Sequence, residues 1–178
     1  MVMVGREIPK PDRVKAAEIV RDAGGTIVGR TKLQKVACLL ELAGLGAGFR
    51  FQYHYYGPYS EELTDEIRLA DAFGLVVEQE KLTEWGSPYS IYTATAAAGH
   101  PDTGIRAAFA KEAAKAGSIE LELAATAAFL AHEHPKDAWE ETERRKPDKA
   151  AEGRLEKAKE VYKRLFELDT PTKLPQIV

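Results

Sequence analysis

The hydrophobic period of this chain switches between helical and strand spacing within its first half, and that switching limits the folds open to it. Leu33, Val36, Ala37 and Leu40 recur at i, i+3, i+4 and i+7, one face of a helix, and Leu39 and Leu42 widen the stripe. Directly afterwards Phe49, Phe51, Tyr53 and Tyr55 alternate with Arg50, Gln52, His54 and Tyr56, the period of a strand with one aromatic face. Leu63, Ile67, Ala70 and Phe73 then return to helical spacing. Leu75–Val77 and Ser90–Thr95, on either side of the Trp85-Gly86-Ser87-Pro88 turn, read as the two strands of a hairpin. A purely helical bundle and a purely β sandwich are both excluded by this order.

Punctuation residues set the boundaries. Asp12 is placed to cap a helix over Arg13–Ala23, with Val14, Ala17, Ile19 and Val20 as its apolar positions, and Gly24–Gly25 ends it. Thr31 followed by Gln34 has the spacing of a capping box. Ser60 is the expected cap of the next helix, with Glu61 and Glu62 at its positive end. Helix, helix, strand, helix and hairpin is the element order of a winged-helix domain, assigned here to residues 12–98. Ala96–Gly104 is a linker. Residues 104–168 read as helical, over Ile105–Ala116, Ser118–His132, Lys136–Arg144 and Ala150–Leu168, with Pro147 separating the last two. The final helix carries Leu155, Ala158, Tyr162 and Leu165 on one face, so this C-terminal part is expected to pack on the first. Residues 1–11 and 169–178, with Pro171 and Pro175, are expected to be extended or flexible. The expected fold class is therefore mainly α (α+β): a winged-helix-like N-terminal part with a small antiparallel β-hairpin, followed by a helical C-terminal part.

Composition narrows the function. The 178 residues hold 25 Lys and Arg against 28 Asp and Glu, a net charge of −3, so the chain is not basic all over. No run approaches the roughly 18 apolar residues of a membrane helix, and Met1–Asp12 has charges but no apolar stretch of the secretory kind. With Cys38 as its single cysteine the chain forms no internal disulfide, and a cytoplasmic location is expected. His54, His100, His132 and His134 come with no cysteine pair, HExxH or Asp-rich loop, and His132 and His134 point to different sides of a helix. No metal or cofactor is expected. Cys38, between Ala37 and Leu39, reads as a packing group; with no nucleophile elbow and no phosphate-binding glycine loop, no enzyme activity is expected.

The stretch Gly29-Arg-Thr-Lys-Leu-Gln-Lys35, then Phe51-Gln-Tyr-His-Tyr-Tyr-Gly-Pro-Tyr-Ser60, then a helix ending in Phe73-Gly-Leu75, resembles the YwgA-like uncharacterised proteins of bacteria and archaea. These look related to the SocA-type antitoxin domain, also called Panacea. Leu123-Ala-Ala-Thr126 and Lys146-Pro147 also enter the match, which extends over about residues 12–168. Gly57-Pro58 followed by Tyr59-Ser60 suits the YwgA-like branch better than the SocA branch. The resemblance implies a small regulatory or partner-binding protein linked to toxin–antitoxin or defence systems, with no established enzyme activity.

In a DNA-reading winged helix, the element Ser60–Phe73 enters the major groove. Here it carries Glu61, Glu62, Asp65, Glu66 and Asp71 against Arg68 alone, and the hairpin adds Glu78, Glu80 and Glu84 against Lys81. Coulomb repulsion from a polyanion disfavours nucleic acid on this face. A protein partner is expected there instead, met by Tyr56, Tyr59, Glu62, Glu66 and Arg68. Tyr56 and Tyr59 flank the Gly57-Pro58 turn, whereas the odd-numbered aromatics from Phe49 to Tyr55 are expected to pack inward. The alternative is a DNA-binding regulator that uses Arg30, Lys32 and Lys35, with Arg13, Lys15 and Arg21 on the preceding helix; the plainer reading of those cations is a solvated helix face. Lys146 and Pro147, in the mixed-charge stretch Glu140–Lys149, read as a helix boundary. The oligomeric state is left open.

Overall fold

The computed structural model describes residues Ile8–Ile177; the expected loose segment over residues 1–7 lies outside them. Helix α1 spans Asp12–Asp22. Its cap position is Pro11, whose carbonyl accepts from the Val14 and Lys15 N–H groups. Asp12 therefore sits inside the first turn, where its carboxylate takes the Lys15 ammonium at 2.8 Å instead of capping. After Gly24 and Gly25 comes β1, Thr26–Val28, a strand the periodicity did not reveal because three residues are too few to show one.

Helix α2, Arg30–Leu42, is buried without interruption from Leu33 to Leu40. It starts on Gly29, at φ 102°, and has no side-chain cap. The expected Thr31–Gln34 box does not form, because the Gln34 amide is engaged elsewhere. Its Nε2 donates to the Ser60 carbonyl at 2.9 Å and its Oε1 accepts from the Ser60 N–H at 2.8 Å.

The strand expected over Phe49–Tyr56 is instead half of a hairpin. β2, Gln52–His54, pairs antiparallel with β3, Gly57–Tyr59, around Tyr55 and Tyr56. Phe49 is buried and Phe51 and Tyr53 half-buried, as alternation implies, but Tyr55 is 84% exposed because the chain reverses there. Ser60 caps α3, Glu61–Ala72, with its Oγ accepting from the Leu63 N–H at 3.2 Å. Leu63, Ile67 and Ala70 face inward. Phe73 falls past the last turn, and is exposed with the Arg13 guanidinium 4.3 Å above its ring. β4, Val76–Leu82, and β5, Pro88–Ala94, form a long hairpin, and β1 adds to β5 to give an antiparallel sheet in the order β1-β5-β4.

A short 3-10 turn at Ala96–Ala98 leads to α4, Ile105–Lys115; α5, Ser118–Leu130; α6, Ala138–Arg145; α7, Pro147–Ala150; and α8, Arg154–Phe166. Helix α5 packs against α2, α6, α8 and β3, which is why every residue from Leu121 to Ala128 is buried. α8 begins at Arg154 rather than near Ala150, because Glu152 and Gly153 take positive φ and break the helix. The tail after Leu168 is extended as expected, but it is docked. Leu174 is buried, the Thr172 N–H donates to the Ala43 carbonyl at 3.1 Å, and the Tyr162 hydroxyl donates to the Pro175 carbonyl. One apolar core runs from Ile19, Val36 and Leu63 to Phe109, Leu123 and Leu165.

Asp22, fully buried, ties α1 to the stretch before α4. It takes Arg21 at 2.8 Å, the Arg106 guanidinium, and the Asp102 N–H at 2.9 Å. Burial alone would push its carboxyl up, but these donors outweigh it and hold the carboxyl below its usual value. Among the described residues, no helix is long and apolar enough to cross a membrane.

Candidate functional site

The residues read from sequence as a partner surface fall in two places. Tyr59 packs its ring 5.2 Å from that of His54, and its hydroxyl lies 2.6 Å from Thr64 Oγ1. It lines a cavity of about 130 Å³ together with Arg68, Arg30, Gln34 and Tyr92. On its other side Tyr59 shares a shallow hollow with Glu62, Arg50 and His54. Glu66 is half-buried on α3. Tyr56 stands apart from these, with its ring 4.6 Å from the Lys149 Nζ.

The three cations of the alternative surface do not share one face. At 100° per residue, position 30 points well away from positions 32 and 35, which lie about 60° apart and are separated by depth instead. Arg30 is exposed, 3.3 Å from Glu78 and 3.4 Å from Glu80. Lys32 is half-buried and donates to the Ala114 carbonyl at 3.1 Å. Lys35 is 0% exposed and donates to the Pro58 carbonyl at 2.5 Å, so it does not reach a phosphate on the surface.

Lys35 instead lies buried beside a charged cluster that sequence reasoning missed. Glu122, from the middle of α5 and only 2% exposed, accepts from Lys146 at 2.8 Å and from Lys149 at 2.7 Å on each of its oxygens. Lys146, 6% exposed, also donates to the Tyr55 carbonyl at 3.0 Å. Burial pushes the Lys35 ammonium down to about 8; Glu122 works against that shift, while Lys146 and Lys149 add to it. Beside this cluster, sharing Lys146 and Lys149 with it, the β2–β3 hairpin and the α6–α7 junction enclose an open pocket of about 480 Å³, lined also by Tyr53, Tyr55, Arg145 and Pro147, with Asp148 at its side. The Arg145 guanidinium lies 4.7 Å over the Tyr53 ring, while its Nε is hydrogen-bonded to Glu141 at 2.6 Å.

The hairpin reaches this cluster because residue 57 is glycine. It takes φ +82°, and a Cβ there would lie 2.5 Å from Thr126 Oγ1. That hydroxyl is the one buried side-chain polar atom among the described residues without a hydrogen-bond partner. A signal for the cluster did exist in the sequence. Glu122 is the lone charge within the apolar run from Leu121 to Leu130, and a charge buried in a helix needs partners from elsewhere.

The chain is similar to the uncharacterized protein YwgA of Bacillus subtilis (strain 168). The two are 33% identical over 89 residues, 44% of this chain and 53% of YwgA, so the chain spans about half the length of the relative it matches. No protein-family model and no solved structure matches the chain. The likeness to YwgA brings no activity with it, and the chemistry rests on the side chains. Among these, Cys38 is buried and its thiol is pushed up to about 12, which leaves it protonated and unreactive at neutral pH.

Proposed function

We propose that this protein is a non-catalytic regulatory module, antitoxin-like or defence-associated, which acts by holding a protein partner. Its N-terminal part is of winged-helix type. The order α1, β1, α2, α3, β4, β5, with β1 laid against β5, supports that reading, and the β2–β3 hairpin is an addition between α2 and α3. The relation to the SocA-type antitoxin domain belongs to the same proposal.

The observation that carries it is the outer face of α3. Glu61, Asp65 and Asp71 are exposed there beside Leu69 and Phe73; Arg68 is the only cation of the helix itself, and Arg13 of α1 covers the Phe73 ring. An apolar strip bordered by carboxylates is complementary to a basic, partly apolar protein surface and repels DNA. Glu62 and Glu66, one turn apart, extend the same charge, and Tyr59 lines the same hollow as Glu62.

Two measurements test the proposal. Fluorescence anisotropy with mixed-sequence duplex DNA is expected to show no binding at micromolar protein, even at low salt. Salt-sensitive binding that disappears in an Arg30→Ala, Lys32→Ala variant would instead establish the DNA-binding regulator. Purification of the tagged chain from its native cells is expected to yield a basic partner that is lost when Glu62 and Glu66 are both changed to Lys. Unchanged recovery of every co-purifying protein would show that α3 is not the interface.

A further inference from the structure

We infer that the pocket between the β2–β3 hairpin and the α6–α7 junction is a binding site for the terminal phosphate of a mononucleotide. The site is separate from the outer face of α3, so it stands or falls independently of the partner reading.

Charge is the first argument. Lys146 and Lys149 share the single buried carboxylate of Glu122, whose charge Lys35 also feels through space, and Arg144 and Arg145 share the single carboxylate of Glu141. Asp148 adds one further negative charge at the side of the pocket. The pocket wall itself carries Arg145, Lys146 and Lys149 against Asp148 alone, and Lys146 has almost no access to water. That excess of positive charge on the wall matches a phosphate monoester, which carries roughly −1.5 to −2 near neutral pH.

Donor geometry is the second. Among the described residues Lys146 has two hydrogen-bond acceptors, the Tyr55 carbonyl and Glu122, for three N–H bonds, with the Tyr53 ring 5.9 Å away. Lys149 is bonded only to Glu122 among side chains and lies half-buried at the edge of the pocket. Arg145 presents a planar fork of donors, of which the structure commits Nε to Glu141. Three cationic donors from one short stretch of chain, residues 145–149, therefore surround the same opening.

The pocket wall is the third. A volume of about 480 Å³ exceeds what a free phosphate ion needs and lies within the range of small-molecule sites. The Tyr53 and Tyr56 rings are already faced by Arg145 and Lys149. The Tyr55 ring is not: it stands edge-on to Tyr56 at 5.0 Å and 86°, and it is 84% exposed. A ring carried by the ligand can stack on Tyr55 while its phosphate sits at Lys146 and Lys149.

Isothermal titration of the full chain with inorganic phosphate, each of the four ribonucleoside 5′-monophosphates, and the matching unphosphorylated nucleosides tests this assignment. At least one monophosphate is expected to bind more tightly than inorganic phosphate, and the nucleosides are expected not to bind. Lys149→Gln is expected to weaken nucleotide binding by roughly tenfold or more, as loss of a charge-assisted hydrogen bond implies. Tyr55→Ala, a change at an exposed side chain that the fold does not need, is expected to bring the nucleotide down to the affinity of inorganic phosphate. No binding of any phosphate at millimolar concentration overturns the proposal, as does nucleotide affinity unchanged in both variants. Tighter binding of a 5′-phosphorylated oligonucleotide than of any mononucleotide assigns the phosphate to a strand end and overturns the small-molecule ligand.

Discussion

A lysine with no exposed surface is under two opposing demands: its charge seeks water, and its stem seeks the core. Lys35 meets them by losing its proton more readily than a free lysine does. It is faced by Glu122 from α5, by Cys38 on its own helix, and by Lys146 and Lys149. With its folded-state value near 8 and its unfolded value near 10.5, the unfolded chain binds more protons than the folded one above pH 8. Stability from this group therefore rises with pH over that range. Cys38 acts in the opposite sense, since its thiol ionises near 9 when unfolded but only near 12 when buried. The Lys35 effect should thus be visible between pH 8 and 9, as a gain of about 1 kcal/mol. Urea midpoints at pH 7, 8 and 9 are expected to show this rise in the native chain and to lose it in Lys35→Met. A rise that survives in Lys35→Met would assign it to another group.

At the scale of elements, Gln34 joins α2 to the start of α3 with a bidentate amide clamp on Ser60, and its Nε2 also lies 3.0 Å from Thr64 Oγ1. Replacing it with Leu leaves the buried Ser60 N–H without an acceptor, while the Ser60 carbonyl keeps the Thr64 N–H. Gln34→Leu is expected to cost about 2 kcal/mol in chemical denaturation. A cost below 0.5 kcal/mol would mean that water or a neighbouring group takes over the clamp. The same residue shows how far sequence reaches. Long periodic elements were legible: α2, α3 with its Ser60 cap, the β4–β5 hairpin and the C-terminal helices. Thr31 and Gln34 had capping-box spacing, yet spacing cannot show that Ser60 lies nearer to hand. β1 and the β2–β3 hairpin were not legible, because three-residue strands exist through their partners and carry no period of their own. The site was hidden for a related reason. Lys35 and Lys146 look like surface cations until α5 and the hairpin are laid over them, and only Glu122, alone in an apolar run, hinted otherwise.

Across the whole molecule, the core draws on both halves of the chain, with α5 enclosed by α2, β3, α6 and α8. Neither half can bury its apolar face alone, so unfolding is expected to be a single cooperative transition. In a Trp85→Phe variant the remaining tryptophan, Trp139, lies in the C-terminal half. Its fluorescence and the far-UV circular dichroism are expected to change together on heating. Two separated transitions would show that the halves fold independently. The stretch from Tyr55 to Ser60 has a different kind of consequence. Its backbone is held at Tyr55 by Lys146, at Gly57 against Thr126, at Pro58 by Lys35 and at Ser60 by Gln34. A residue added or deleted anywhere between these points would shift every anchor beyond it, so the length of this stretch is fixed. The turn from Thr83 to Ser87, closed on itself and carrying a Trp85 that is 88% exposed, has no such tie. That turn is where this chain can take an insertion, a tag or a label and keep its fold.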